Sequence, residues 1–142
     1  MPVDQSGPHR AFDPDGAAIG DGIFGLPRTP EEAATVLLPV PWEATVSYGS
    51  GAAGGPAAIL AASRQVDLFD VETGDPWKQG IAMLPEAEEV AAWNTAARRL
   101  ALPVLAAGGV DPTLPEDHDL RRRAAAADRF AEQLHDWVAR VS

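Results

Sequence analysis

The sequence contains no cysteine, which excludes disulfides and thiolate metal ligands and suits a reducing compartment. Positive charge is scarce: 11 Lys and Arg stand against 21 Asp and Glu, for a formal net charge of -10. Nonspecific binding to nucleic acid or to an anionic membrane needs a basic footprint, so neither is an expected partner. No apolar run approaches the roughly 20 residues of a membrane span. The opening MPVDQSGPHR lacks the apolar stretch of a signal peptide. The expectation is a soluble, cytoplasmic protein.

What remains is a chain of 142 residues, 46% hydrophobic and 23% charged. That is the size and composition of one globular domain, although its alanine richness thins the core. Residues 1–34 scatter Pro, Gly and Asp without periodicity and read as an irregular arm, with one helical turn at PEEAA. The domain proper is expected over 35–142. Thr35 to Pro41, TVLLPVP, reads as a buried parallel strand, with Pro39 confined to an end or edge. A helix can begin at Pro56 after Gly55 and end near Arg64 to Val66. VDLFD at 66–70 can be extended, and GIAMLP at 80–85 reads as a second strand.

The segment from Pro85 reads as a helix, acidic at its start, with Arg98 and Arg99 placed to complement the dipole at its end. PVLAAGG is assigned to its tail, with Pro103 as a kink. VDPTLPEDHD is a loop. From Leu120 to Val141, Phe130, Leu134, Trp137, Val138 and Val141 recur on one helical face. Strand, helix, strand, helix, helix is how a parallel α/β sheet begins.

Gly49, Gly51 and Gly54 stand in G-x-G-x-x-G spacing between a strand and a helix, and Asp70 lies 21 residues after Gly49. Such an acid can bind the ribose of a dinucleotide. The residues WEATVSY intervene between strand and first glycine, however, where that fingerprint needs an immediate turn. A loop whose glycines serve chain geometry is the competing reading. No Lys follows the glycines, which excludes a P-loop.

His9, His118 and His135 have no spacing that would pair two metal ligands on one helical face. His118 among Glu116, Asp117 and Asp119 reads as a solvated acidic loop, and Arg121 to Arg123 as a solvated face. FDPDGAAIGDG departs from a calcium loop, since the twelfth residue from Asp13 is Phe24 and not Glu. No serine sits in a G-x-S-x-G context.

Taken together, LPVPWEATVSYGSGAAGGPAAILAASRQVDLFDVETG, the strand GIAMLP and the Trp-bearing helix after it resemble the N-terminal portion of the ureohydrolases. This is the arginase and agmatinase family, and the likeness is strongest to agmatinase-like members. Val40, Pro41, Thr45, Ser47, Tyr48, Gly51, Gly55, Pro56, Ile59, Ala62 and Ser63 fit the family pattern. The resemblance covers roughly residues 20 to 140. It implies an α/β fold that is an incomplete three-layer arginase-like architecture, with only the first two parallel strands and their helices.

It also implies a C–N hydrolase that cleaves a guanidino compound to urea and an amine with two manganese ions. Thr45, Ser47, Tyr48, Gly51, Gly55 and Pro56 would then belong to a substrate loop. The family's ligand motifs, Gly-Gly-Asp-His, Asp-Ala-His-x-Asp and Ser-x-Asp-x-Asp-x-x-Asp-Pro, do not occur in the sequence. GGVDP at 108–112 approaches the first, but Val110 and Asp111 replace its Asp and His.

The resemblance therefore implies a truncated or split gene product, with no catalytic or metal-ligating residue of its own and inactive alone. It would bind no manganese itself and would self-associate or pair with a complementing ureohydrolase C-terminal segment. In the family sheet the first strand lies between the second and the third. Without the third, residues 35–41 are expected to keep an unpaired apolar edge, and Phe130 and Trp137 to lack the sheet that they should cover, leaving them bare. Two alternatives stay open: a noncatalytic module that pairs through that strand edge, and a dinucleotide-binding half-domain using Gly49, Gly51 and Gly54.

Overall fold

A computed structural model describes residues 20–142. His9, the greater part of the arm and the start of the calcium-like run at Asp13 lie outside the described residues. The chain divides into two compact units, one of Met1–Leu37 with Ile59–Met83 and one of Leu38–Ala58 with Leu84–Ser142.

The first unit holds a parallel strand pair, β1 (Thr35–Leu37) and β2 (Ile81–Met83). Thr35 lies opposite Ile81, Val36 opposite Ala82 and Leu37 opposite Met83. The pairing reaches back through Ala34 N–H to Gln79 O at 3.0 Å and Thr35 N–H to Gly80 O at 3.2 Å. Gly80 has φ +84, and a Cβ there would lie 3.0 Å from Ala33 Cα, so this close backbone approach requires glycine. The predicted strand 35–41 is cut short at Leu37, because Pro39 and Pro41 have no N–H to donate to a ladder.

In this unit Ala82 of β2 is buried, as are Ile23 and Leu26. Phe24 takes a left-handed backbone (φ 57), and its N–H donates to Ser63 Oγ at 2.9 Å. Ser63 in turn donates to Leu60 O at 2.8 Å. The expected turn at PEEAA is a single 3-10 turn, Pro30–Glu32, entered where Thr29 N–H donates to Glu32 Oε2. Residues 66–69 form no strand; Asp70 bridges Gly74 in a tight turn.

α1 spans Gly55–Ser63, after a 3-10 turn at Ala52–Gly54, so it starts one residue before and ends one residue short of the expected bounds. Its first four residues group with the second unit, whose mass is an α-hairpin of α2 (Glu88–Ala106) and α3 (Asp119–Val141). α2 runs through Pro103, which sits on its exposed side. Arg98 and Arg99 consequently fall mid-helix, and no basic residue occupies the last turn. The dipole role expected of them is therefore corrected.

Gly108 and Gly109, with φ +80 and +108, end α2 by donating to Leu105 O and Val104 O. The GGVDP run is thus a helix stop, and Asp111 closes the next turn by accepting from Thr113 N–H and Oγ1.

Val90, Leu134 and Trp137 form the core of this unit, with Leu38, Val40, Trp42, Ala87, Trp93 and Val138 packed against them. The buried alanines Ala97, Ala101 and Ala127 mark the helical faces where small side chains suffice. Trp137 is therefore covered, not by a sheet but by the segment that follows β1. This corrects the expectation of a bare indole. Phe130 is half-buried. Val141 departs from the predicted apolar face and stays exposed at the chain's last turn.

At the start of α3, His118 Nδ1 accepts from Leu120 N–H at 3.3 Å, while Asp119 pairs with Arg122 and Arg123. Arg121 donates to the carbonyls of Pro112 and Leu114. The cationic run thus has local partners. No helix of the described residues is long and apolar enough to cross a membrane.

Candidate substrate loop

Residues 42–56 lie wholly within the second unit and carry every residue expected of the substrate loop, whereas Asp70, the acid of the dinucleotide reading, belongs to the first unit. Their geometry is organised by Glu43, which sequence reasoning did not single out. Its backbone N–H donates to Asn94 Oδ1 at 2.7 Å, and its carbonyl accepts from Arg98 Nη1 at 3.2 Å. The same guanidinium nitrogen donates to Val46 O at 2.6 Å. Asn94 and Arg98 are four residues apart, one turn along a single face of α2.

The Glu43 side chain turns to the far end of the loop. Oε2 accepts from Gly51 N–H at 2.6 Å and Ala53 N–H at 3.2 Å. These two amides hold the Glu43 carboxyl below its ordinary value of 4.5, with the Arg98 charge adding to the effect. Gly51 reaches this position in a left-handed conformation, φ +116, which an L side chain resists.

Between the two fixed ends, Thr45, Ser47 and Tyr48 are exposed, and Tyr48, the sole tyrosine, is 96% accessible. Thr45 also borders a cavity of about 140 Å³ formed with Ala101, Val104 and Leu105 of α2 and Ala124, Ala127 and Asp128 of α3. Gly55 and Pro56 open α1. The expected loop residues are thus brought onto one tethered segment, presented by backbone rather than gathered into a side-chain cluster.

The glycine-rich loop does not offer free amides at Gly51 and Ala53, since a carboxylate of the same chain holds them where a phosphate cradle would use its own. Among the described residues, no group of three or more His, Cys, Asp or Glu is placed to hold a metal ion. His118 serves as a helix cap, and His135 is exposed on α3. The described residues do not fit a two-manganese centre.

The chain is 38% identical over 115 residues to an N(1)-aminopropylagmatine ureohydrolase of Thermus thermophilus. It is 37% identical over 115 residues to the protein of the same name from a second strain of that species. Each match covers 77% of this chain and 39% of the relative. The chain is similar to ureohydrolases.

A protein of the same name from Synechocystis is 49% identical over 43 residues, 30% of this chain and 14% of that protein. The ureohydrolase resemblance read from the sequence is thereby borne out. The chain spans about two fifths of the length of the Thermus proteins that it matches. No family model matches the chain, and no solved structure matches it significantly.

Glu43, Asn94 and Arg98 could have been suspected from two signals. One is the i, i+4 spacing of Asn94 and Arg98, which puts two polar side chains on one face of α2. The other is a lone acid inside the apolar approach to a glycine loop. Neither signal shows that these groups meet, which depends on where α2 lies against residues 43–46.

Proposed function

We propose that this chain forms the N-terminal part of an agmatinase-like ureohydrolase and that residues 43–56 form the rim of its substrate site. The observation that carries the proposal is the 115-residue match to two proteins named for cleaving N(1)-aminopropylagmatine. The outward presentation of Thr45, Ser47 and Tyr48 on a tethered loop supports it. The substrate class is a guanidino group on an aliphatic polyamine. Water adds to the guanidino carbon and the C–N bond to the alkyl amine breaks, giving urea and the free amine.

The contribution of these residues is binding and exclusion of water at the mouth of the site. Exposed hydroxyls on Thr45, Ser47 and Tyr48 can accept from guanidinium or ammonium N–H groups, and the Tyr48 ring offers a face to a cation. Manganese, which supplies activation of water in the family, would be held by residues outside this chain. The isolated chain is accordingly inactive, and a segment bearing the Gly-Gly-Asp-His motif is its complementing partner. A cytoplasmic setting belongs to the same proposal. The engagement of Gly51 and Ala53 by Glu43 favours this reading over a dinucleotide site.

The test is a chimaera in which the matched 115 residues replace their counterpart in the Thermus protein, assayed for urea with manganese and N(1)-aminopropylagmatine. Urea release by the chimaera and none by the 142-residue chain is the expected result. A folded chimaera without activity, beside an active Thermus parent, would overturn it.

A further inference from the structure

We propose that Glu43 is a positioning residue, a latch that sets the presentation of Ser47 and Tyr48 by tying both ends of their loop to α2. The functional half of this statement rests on the substrate-rim reading; the structural half stands on the hydrogen bonds alone. Glu43 takes part in the contacts at both ends of the loop, and Arg98 adds one more at Val46 O. Its main chain is held on both sides by α2, through Asn94 and Arg98. Its carboxylate reaches eight residues ahead to Gly51 and on to Ala53.

Residues 47–50 are therefore spanned by fixed points, while their own side chains are exposed. A loop closed this way keeps few conformations, so a substrate would lose little ordering entropy on meeting Ser47 and Tyr48. A neutral amide can replace the acceptor, but a charged acceptor binds two N–H groups more strongly. Glu43→Gln should therefore retain part of the latch and Glu43→Ala none. The carboxylate is partly solvent-accessible, so water can satisfy the released amides, and loss of the latch need not unfold the helices.

Hydrogen exchange on the complete chain tests the latch directly. Glu43→Ala is expected to speed exchange at the Gly51 and Ala53 amides by about tenfold or more, with Glu43→Gln in between and Val90 and Trp137 unchanged. Chymotrypsin cleavage after Tyr48 should accelerate in the same order. Unaltered exchange and cleavage in Glu43→Ala would overturn the proposal; should that variant fail to fold, unaltered Glu43→Gln would do so.

In the active chimaera, Glu43→Ala is expected to raise KM about fivefold or more with kcat within about twofold. An unchanged KM would overturn the positioning role. If the wild-type chimaera is inactive, the substrate-rim reading fails while the exchange data still judge the latch.

Discussion

The α2–α3 hairpin and the β1–β2 pair solve the problem of burial differently. The hairpin closes its own core: Val90, Leu134 and Trp137 are buried, and the prolyl segment 38–42 packs against them. The strand unit buries Ile23, Leu26 and Ala82, yet leaves Val36, Ile59, Val66, Phe69 and Val71 exposed. Three paired residues per strand give few ladder bonds, and a two-stranded sheet is marginal without further cover. The contrast teaches that helices can recruit a loop as a lid, whereas strands need another strand. Of the exposed residues, Val36 lies on β1 itself, Ile59 on α1, and Val66, Phe69 and Val71 on the segment that follows α1.

The largest expected effect comes from breaking the hairpin core. Trp137→Ala should lower stability by about 3–5 kcal/mol, read as a shift of the urea midpoint followed by helical circular dichroism. A shift below about 1 kcal/mol would show that the indole contributes little. Next, Gly51→Ala should cost about 1–2 kcal/mol, because its left-handed backbone meets no steric neighbour and only the conformational term acts. Exchange confined to residues 43–54 should report that loss, leaving the hairpin protected.

On the strand side the effect is one of association. Val36→Lys should change stability by no more than about 0.5 kcal/mol and reduce aggregation on light scattering, since the residue is exposed on an edge strand. Unchanged aggregation would locate the sticky surface elsewhere.

The smallest effect is a titration. Glu43 has its folded-state pKa below 4.5, so its contribution is present above that value and is lost as pH falls through the lower folded pKa. The Gly51 amide proton should lose its hydrogen-bonded shift over that acid range, with Arg98 the charge facing the carboxylate. A shift that titrates near neutrality would contradict the assignment.

Much of the architecture was legible in the sequence because periodicity and capping are local. The seam of α3 at Leu134, Trp137 and Val138, the start of α1 at Gly55 and Pro56, and the passage of α2 through Pro103 all follow from neighbouring residues. The end of β1 did not, since apolar content at Leu38 and Val40 outweighed the missing N–H of Pro39. Nor did the cover over Trp137, which is supplied by the distant residues Leu38, Val40 and Trp42.

The site was legible in outline only. Thr45, Ser47 and Tyr48 stood out through family resemblance, whereas Glu43, Asn94 and Arg98 act through contacts 51 and 55 residues apart. The glycine pairs illustrate the same limit. Gly108 and Gly109 imitate a metal motif but stop a helix, and Gly51 imitates a phosphate loop but receives a carboxylate.

Urea release from N(1)-aminopropylagmatine in the presence of manganese tests the central claim most directly, comparing the 142-residue chain with the Thermus chimaera that carries its matched residues. The account predicts turnover by the chimaera and none by the chain alone. Sustained urea production by the isolated chain, or a folded but inactive chimaera, would contradict it.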